Sequence, residues 1–300
     1  MSVVASGPMN GDAIAAELPA FAKALEQHDA VAPFNEQTQL NSHQRTAFTG
    51  RNDQGDLIAL ALAHRIDDET TEAELAVHPS VRGQGIGRTI AEQLLSWTQG
   101  TLQVWAHGDL EPAHALAEAL DAHPDRVLYV LSLPLADELV APEVPAGWHI
   151  RGFDQRQDAD AWVSLNAEVF ADHPEQGQLT RTDLDARLQQ PWFNADDFLV
   201  LIDAEGRMRG YCWCKIDADE YEIYVVGVAP SAASKGLGTA LMNAGLRRLR
   251  ERGADEAVLY VDGSNERAVA LYRRLGFVTR NVDVQYVTDG HYSSTSSPIN

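Results

Sequence analysis

Two short glycine-bearing stretches carry the clearest chemical signal in the chain: "RGQGIG", Arg82 to Gly87, and "ASKGLG", Ala233 to Gly238. Each follows an apolar run and opens into an amphipathic pattern, so each reads as a strand, a loop and a helix N-terminus. Glycine lets the backbone approach a ligand closely, and unpaired N–H groups at the start of a helix favour an anion. A pyrophosphate suits such a loop. Spacing separates the alternatives. A P-loop ends in Lys followed by a hydroxyl residue, which neither "RGQGIGRT" nor "ASKGLGTA" supplies. A dinucleotide fingerprint needs glycine at its first, third and sixth positions; counted from Gly83 the sixth is Arg88, and from Ser234 it is Thr239. What remains is R-x-x-G-x-G directly before a helix.

The elements that must position these loops are written twice. Val77, Pro79, Gly85 and Gly87 align with Val228, Pro230, Gly236 and Gly238 at an offset of 151, and Gly108 and Leu116 align with Gly263 and Leu271 at an offset of 155. Such an internal repeat makes each half a strand, loop, helix, strand and helix. The fold class expected is mixed α/β, in two tandem domains, each a mixed central sheet flanked by helices. "LADELVAPEVPAG", Leu135 to Gly147, contains Pro142 and Pro145 and reads as the linker, which sets the domains at 1–141 and 148–300. "DQRQDADAWVSLNAEVF" starts the second domain with a helix, "FLVLIDAEGRMRGYCWCKI" reads as two strands joined at Glu205-Gly206, and "SSTSSPIN" reads as a disordered tail.

Across 300 residues, 44 Asp and Glu stand against 23 Lys and Arg, a formal charge of -21. That average field repels nucleic acid and anionic membranes, so neither is expected as a partner. The start "MSVVASGPMNGD" has no basic and apolar leader pattern, and no apolar run approaches the roughly 20 residues that cross a bilayer. A cytoplasmic monomer is the expectation. Strand alternation puts Cys212 and Cys214 of "YCWCKI" on one face with Trp213 opposite, and they read as buried reduced thiols rather than metal ligands. No metal is expected.

R-x-x-G-x-G after a V-x-P strand end, followed by "NERAVALYRRLGF", Asn265 to Phe277, resembles the acetyl-CoA-binding core of the GNAT acetyltransferases. The resemblance implies an acyltransferase with acetyl-CoA as co-substrate. In the first half its contacts would be Leu75, Ala76 and Val77, then Gly83, Gln84, Gly85, Ile86, Gly87 and Arg88. In the second half they would be Val226, Gly227 and Val228, then Ala233, Ser234, Lys235, Gly236, Leu237, Gly238 and Thr239. Asn265, Glu266, Arg267, Ala268, Val269 and Ala270 open the second element. The second loop lacks the long polar first residue and the first glycine, since Ala233 and Ser234 stand there, which implies a weakened cofactor contact.

Acetyl transfer to an amine needs a base and a proton donor for the leaving thiolate. Glu222 is the expected base: by alternation along "YEIYVVGV" it shares a face with Tyr224, Val226 and Val228. Tyr272 matches the acid usual in this family. At the two offsets their first-half counterparts are Thr71 and Ala117, with Glu72 and Glu74 of opposite parity, so the first domain is expected to be non-catalytic. "PFNEQTQL", "FADHPEQGQLT", "YCWCKI" and "LYVDGSNERAVALYRRLGF" further resemble the mycothiol synthase family of tandem GNAT enzymes. That resemblance implies cysteinyl-glucosaminyl-inositol as the small-molecule amine substrate, with Glu36, Glu175, Lys215, Glu222 and Tyr260 in contact with it. Another small amine, a protein N-terminus, or a non-catalytic acyl-CoA sensor remain the alternatives.

Overall fold

In a computed structural model of the chain, the structure describes residues 3–171, 176–217, 220–233 and 236–289. Glu175, Ser234, Lys235 and the expected tail lie outside the described residues. The first half runs β1 (Val4–Asn10), α1 (Leu18–Asp29), α2 (Glu36–Leu40), β2 (Thr46–Arg51), β3 (Leu57–Arg65), β4 (Thr70–Val77), α3 (Ile86–Trp97), β5 (Thr101–Ala106), α4 (Glu111–Ala119) and β6 (His123–Pro134). The second runs β7 (His149–Gly152), α5 (Gln155–Val169), α6 (Arg181–Leu188), β8 (Phe198–Ile202), β9 (Met208–Asp217), β10 (Glu220–Val228), α7 (Leu237–Glu251), β11 (Glu256–Asp262), α8 (Glu266–Arg274) and β12 (Val278–Asp289). The mixed α/β class and the repeated strand, loop, helix, strand, helix order are as expected.

The compact units do not follow a cut at the linker. One comprises Met1–Leu128, Asp262–Ser264 and Asn281–Asn300; the other comprises Tyr129–Val261 and Asn265–Arg280. Strand order in the N-terminal unit is β1-β2-β3-β4-β5-β12, and in the C-terminal unit β6-β11-β10-β9-β8-β7. The last strand of the chain thus completes the first sheet, pairing antiparallel with β5 from Val284 opposite Ala106 to Asp289 opposite Thr101. The end of β6 completes the second. The expected linker begins inside the C-terminal unit, where the Leu135 N–H donates to the Asp255 carbonyl at 2.8 Å.

Alternation along β3 builds the N-terminal core. Ala59, Ala61 and Ala63 pack with Ile86, Ile90 and Leu94 of α3, while Leu60 and Leu62 pack with Leu18, Phe21 and Leu25 of α1. Small residues under α3 let that helix sit close to the sheet. In the C-terminal unit Phe153, Phe198 and Trp213 stack in succession, with centroids 4.3 and 4.2 Å apart. Trp162 of α5 meets Trp213 edge-on at 5.9 Å. On the opposite face of β9, Cys212 and Cys214 are buried free thiols beneath α7. A Cβ added to Gly245 of α7 would come within 2.5 Å of the Cys212 Sγ, so glycine is what admits this close approach. Among the described residues no helix is long and apolar enough to cross a membrane.

Candidate functional site

Both glycine loops end in a residue whose backbone only glycine adopts without strain. Gly85 precedes α3 with φ of 81°, and Gly236 precedes α7 with φ of 73°. A Cβ at either would meet nothing within 4 Å, so the left-handed backbone, not crowding, requires glycine there. Among the described residues no side chain caps either helix. The first-turn N–H groups therefore keep the positive end of the helix available to an anion. Arg82, the first residue of the R-x-x-G-x-G pattern, has a different duty. Its Nε donates to the Val77 carbonyl at 2.9 Å, and its two terminal nitrogens donate to Asp29 at 2.8 and 2.5 Å. It staples the strand end to α1.

In the N-terminal unit the loop borders a cavity of about 560 Å³. Leu75, Ala76 and Val77 of β4 line it, with Gly83, Gly85, Ile86, Gly87 and Arg88 of the loop; Gln84 is not among its walls. Sequence reasoning missed Trp105, His107, Tyr286 and the α4 residues Glu111, Pro112 and Ala113. The 155 offset carries Glu111, Pro112 and Ala113 onto Glu266, Arg267 and Ala268, so the repeat held the signal for α4. Tyr286 had none, because β12 reaches this unit from the far end of the sequence.

In the C-terminal unit Val226, Gly227 and Val228 end β10, Ala233 closes the following turn, and Leu237, Gly238 and Thr239 open α7. A Cβ on Gly238 would sit 3.5 Å from Leu271 of α8. Asn265 caps α8: its Oδ1 accepts the Ala268 N–H at 3.1 Å. Glu266, Arg267, Ala268, Val269 and Ala270 form the first turns of that helix.

Glu222 is only 9% exposed, opposite Lys215 on β9 and Val258 on β11. The expectation that it shares a face with Val226 and Val228 is corrected. The register shifts between Ile223 and Val225, which face Cys214 and Trp213, leaving Tyr224 as an extra residue. This is a β-bulge, and it reverses the parity beyond it. Tyr224 remains on the face of Trp213, 5.6 Å away between ring centroids, as does Glu222, whereas Val226 lies opposite Cys212 on the other face.

The bulge also corrects the first-half counterpart. On β3 and β4, His64 lies opposite Glu72, and Glu72 lies beside Gln103 of β5. His64 and Gln103 are the offset equivalents of Lys215 and Val258, so Glu72, not Thr71, occupies the position of Glu222. Its carboxylate accepts from Trp105 Nε1 at 3.0 Å and from Gln285 Nε2 at 3.3 Å.

Tyr272 is 7% exposed, its ring edge-on to Phe277 at 5.9 Å. Burial pushes its phenol well above the ordinary range, which keeps it protonated. Lys215 Nζ lies 5.4 Å from the centre of the Trp192 ring. Tyr260 is exposed on β11, and Glu36 is exposed in the first turn of α2 in the N-terminal unit. The structure thus brings Lys215 and Glu222 together by cross-strand register.

One buried ionisable cluster stands beside the N-terminal cavity. His107 donates from Nδ1 to Asp283 and from Nε2 to Glu74, each at 2.9 Å. Burial alone would lower its proton affinity, but the bonds and charges of Asp283 and Glu74 outweigh it and push His107 up to about 10. Only an imidazolium donates from both nitrogens. Tyr286, bonded to Asp109 at 3.1 Å, is pushed up to about 12 by burial and by that carboxylate. Among the described residues no group of three or more His, Cys, Asp or Glu is placed to hold a metal ion.

A sequence model described as the Acetyltransferase (GNAT) family matches residues 13–121 and 162–277. A mycothiol acetyltransferase of Salinispora tropica is 43% identical over 282 residues, 90% of this chain and 92% of that protein. A mycothiol acetyltransferase of Streptomyces coelicolor is 44% identical over 241 residues, 79% of this chain and 78% of that protein. Among solved structures, a tandem GNAT protein from the clavulanic acid biosynthesis pathway is similar with a TM-score of 0.74 at 19% identity, over 97% of this chain and 100% of that one. A GCN5-related N-acetyltransferase from Sphaerobacter thermophilus is similar with a TM-score of 0.73 at 23% identity, over 96% of each chain. The likeness to these two is one of fold.

Proposed function

Because the chain belongs to the acetyltransferase (GNAT) family, whose pattern it carries twice, we propose that it is an acetyl-CoA-dependent N-acetyltransferase that acetylates the cysteinyl amine of cysteinyl-glucosaminyl-inositol in mycothiol biosynthesis. The observation that carries this reading is the 43% identity to a mycothiol acetyltransferase, spread over 90% of the chain. A cytoplasmic monomer is the working form.

Chemistry belongs to the C-terminal unit in this reading. An α-amino group titrates at roughly 7.7–8.0, so a modest base suffices to free its lone pair near neutral pH. Glu222 takes the ammonium proton, directly or through one water. Lys215, opposite it, and Tyr260 bond the hydroxyls of the acceptor, while Glu175 accepts from hydroxyls and holds the ammonium. Tyr272, kept protonated by burial, gives its proton to the departing thiolate. Acetyl-CoA supplies the activated acetyl group. Val226 to Val228, residues 233 to 239 and the start of α8 hold it, and the α7 N-terminus, which no described side chain caps, with open space over Gly236 fits a pyrophosphate. The N-terminal unit holds a second acetyl-CoA in its cavity of about 560 Å³ without turnover.

The test is mass-spectrometric detection of the N-acetylated product after incubation with acetyl-CoA and cysteinyl-glucosaminyl-inositol. Glu222→Gln should lower the rate by roughly 10²–10⁴-fold, the usual worth of a positioned base. No product from the wild-type chain would remove the acceptor assignment, and an unchanged Glu222→Gln rate would remove the base.

A further inference from the structure

A second cavity of the N-terminal unit, about 640 Å³, is lined by Gln37, Asn41, Gln44, Arg45, Thr46, Ala63, His64, Arg65 and Trp97. None of the residues proposed above for acyl transfer or cofactor binding is among its walls. Its size falls within the roughly 300–1,000 Å³ typical of small-molecule sites. In a chain with a formal charge of -21, its walls hold two arginines, a histidine, side-chain amides and no Asp or Glu.

Arg45 is the decisive residue. It is 7% exposed, and its Nη1 donates to His64 Nδ1 at 2.7 Å. A guanidinium carries five N–H donors, and among the described residues this is the one hydrogen bond its side chain makes. Most of its donors are left for whatever occupies the cavity. Because arginine only donates, His64 must accept at Nδ1 and carry its proton on Nε2, which lies 3.9 Å from Glu72 Oε1. Glu72 and Glu74 act on the Arg45 charge from nearby without hydrogen-bonding it: Glu74 accepts from His107 and from the Asn35 N–H, and Glu72 accepts from Trp105 and Gln285. The second cation, Arg65, lies 4.9 Å from the centre of the Trp97 ring, which holds its guanidinium plane against the cavity wall.

Two guanidinium forks with amide and hydroxyl neighbours form a donor set for a carboxylate or a phosphate borne on a hydroxylated body. We infer that this cavity binds a small hydroxylated organic anion, its carboxylate or phosphate seated between Arg45 and Arg65 and its hydroxyls on Gln37, Asn41 and Thr46. The site is independent of the acyl-transfer reading, because none of its groups belongs to that chemistry.

The experiment is isothermal titration calorimetry of the full chain at low salt with citrate, glucose 6-phosphate and inorganic phosphate, against glucose as the uncharged control. One equivalent of citrate or glucose 6-phosphate should bind, more weakly as salt is added. Arg65→Gln and Arg45→Gln should each weaken binding by about tenfold or more. Arg65 is exposed, so its variant reads the site even where the buried Arg45 substitution disturbs folding. Binding of inorganic phosphate as tight as that of both larger anions would overturn the need for a hydroxylated body. Absence of saturable heat from every anion, equal binding of glucose, or anion binding undiminished in Arg65→Gln would each overturn the site.

Discussion

Replacing His107 with glutamine should remove a charge that holds the last strand of the chain in the N-terminal sheet. The imidazolium links Glu74 of β4, whose side chain is 1% exposed, to Asp283 of β12, whose side chain is 8% exposed. An uncharged amide can satisfy one carboxylate and leaves the other buried without its cation, which costs about 3–5 kcal/mol. Proton affinity gives the same scale: a rise from 6.5 to about 10, at 1.36 kcal/mol for each tenfold change, is worth roughly 5 kcal/mol. The sign follows from which state binds the proton. Below pH 6.5 both folded and unfolded His107 are protonated and the contribution is complete. Between that pH and about 10 only the folded state keeps the proton, so the contribution falls by about 1.4 kcal/mol per pH unit. Urea denaturation of wild type and His107→Gln, measured at intervals from pH 6 upward, checks this through the difference between the two. That difference should shrink as pH rises. A gap that stays constant from pH 7 to 10 would refute a charged His107 in the fold.

Tyr272→Phe keeps the ring packed on Phe277 and removes only the hydroxyl, so steady-state kinetics should show kcat lower by about 10²-fold with KM little changed; an unaltered kcat would remove the acid role. Gly236→Ala enters open space at φ of 73°, so it should cost about 1–2 kcal/mol through backbone conformation alone, read as a lower denaturation midpoint.

What could be read from sequence was what is encoded locally. Gly85 and Gly236, the helices that follow them and the β8–β9 hairpin at Gly206 depend on neighbouring residues, and all stand where the patterns put them. Strand partnership is a long-range property, and a repeat that locates loops and helices carries no information on which sheet the final strand joins. His107, Glu74 and Asp283 were invisible for that reason, since β12 brings Asp283 to β5. The bulge at Tyr224 was hidden differently. No glycine or proline marks it; the sequence "EIYVV" alternates acceptably in either register, and the packing of Tyr224 against Trp192 and Trp213 accompanies the extra residue.

That one residue changes the argument for why the halves differ. Counting at a constant offset put Thr71 at the place of Glu222, so the first half looked deprived of a base. Once the bulge is removed from the alignment, both neighbouring strands put Glu72 there, and a carboxylate exists in each half. The distinction moves elsewhere. Glu72 accepts from Trp105 and Gln285 through one oxygen, Oε2, so these bonds do not by themselves deny it a base's role. Ala117, 7% exposed on α4, stands at the offset equivalent of Tyr272 and has no proton to give to a thiolate. In the function proposed above, the inequality of the halves therefore rests on the acid, present as Tyr272 and absent at Ala117.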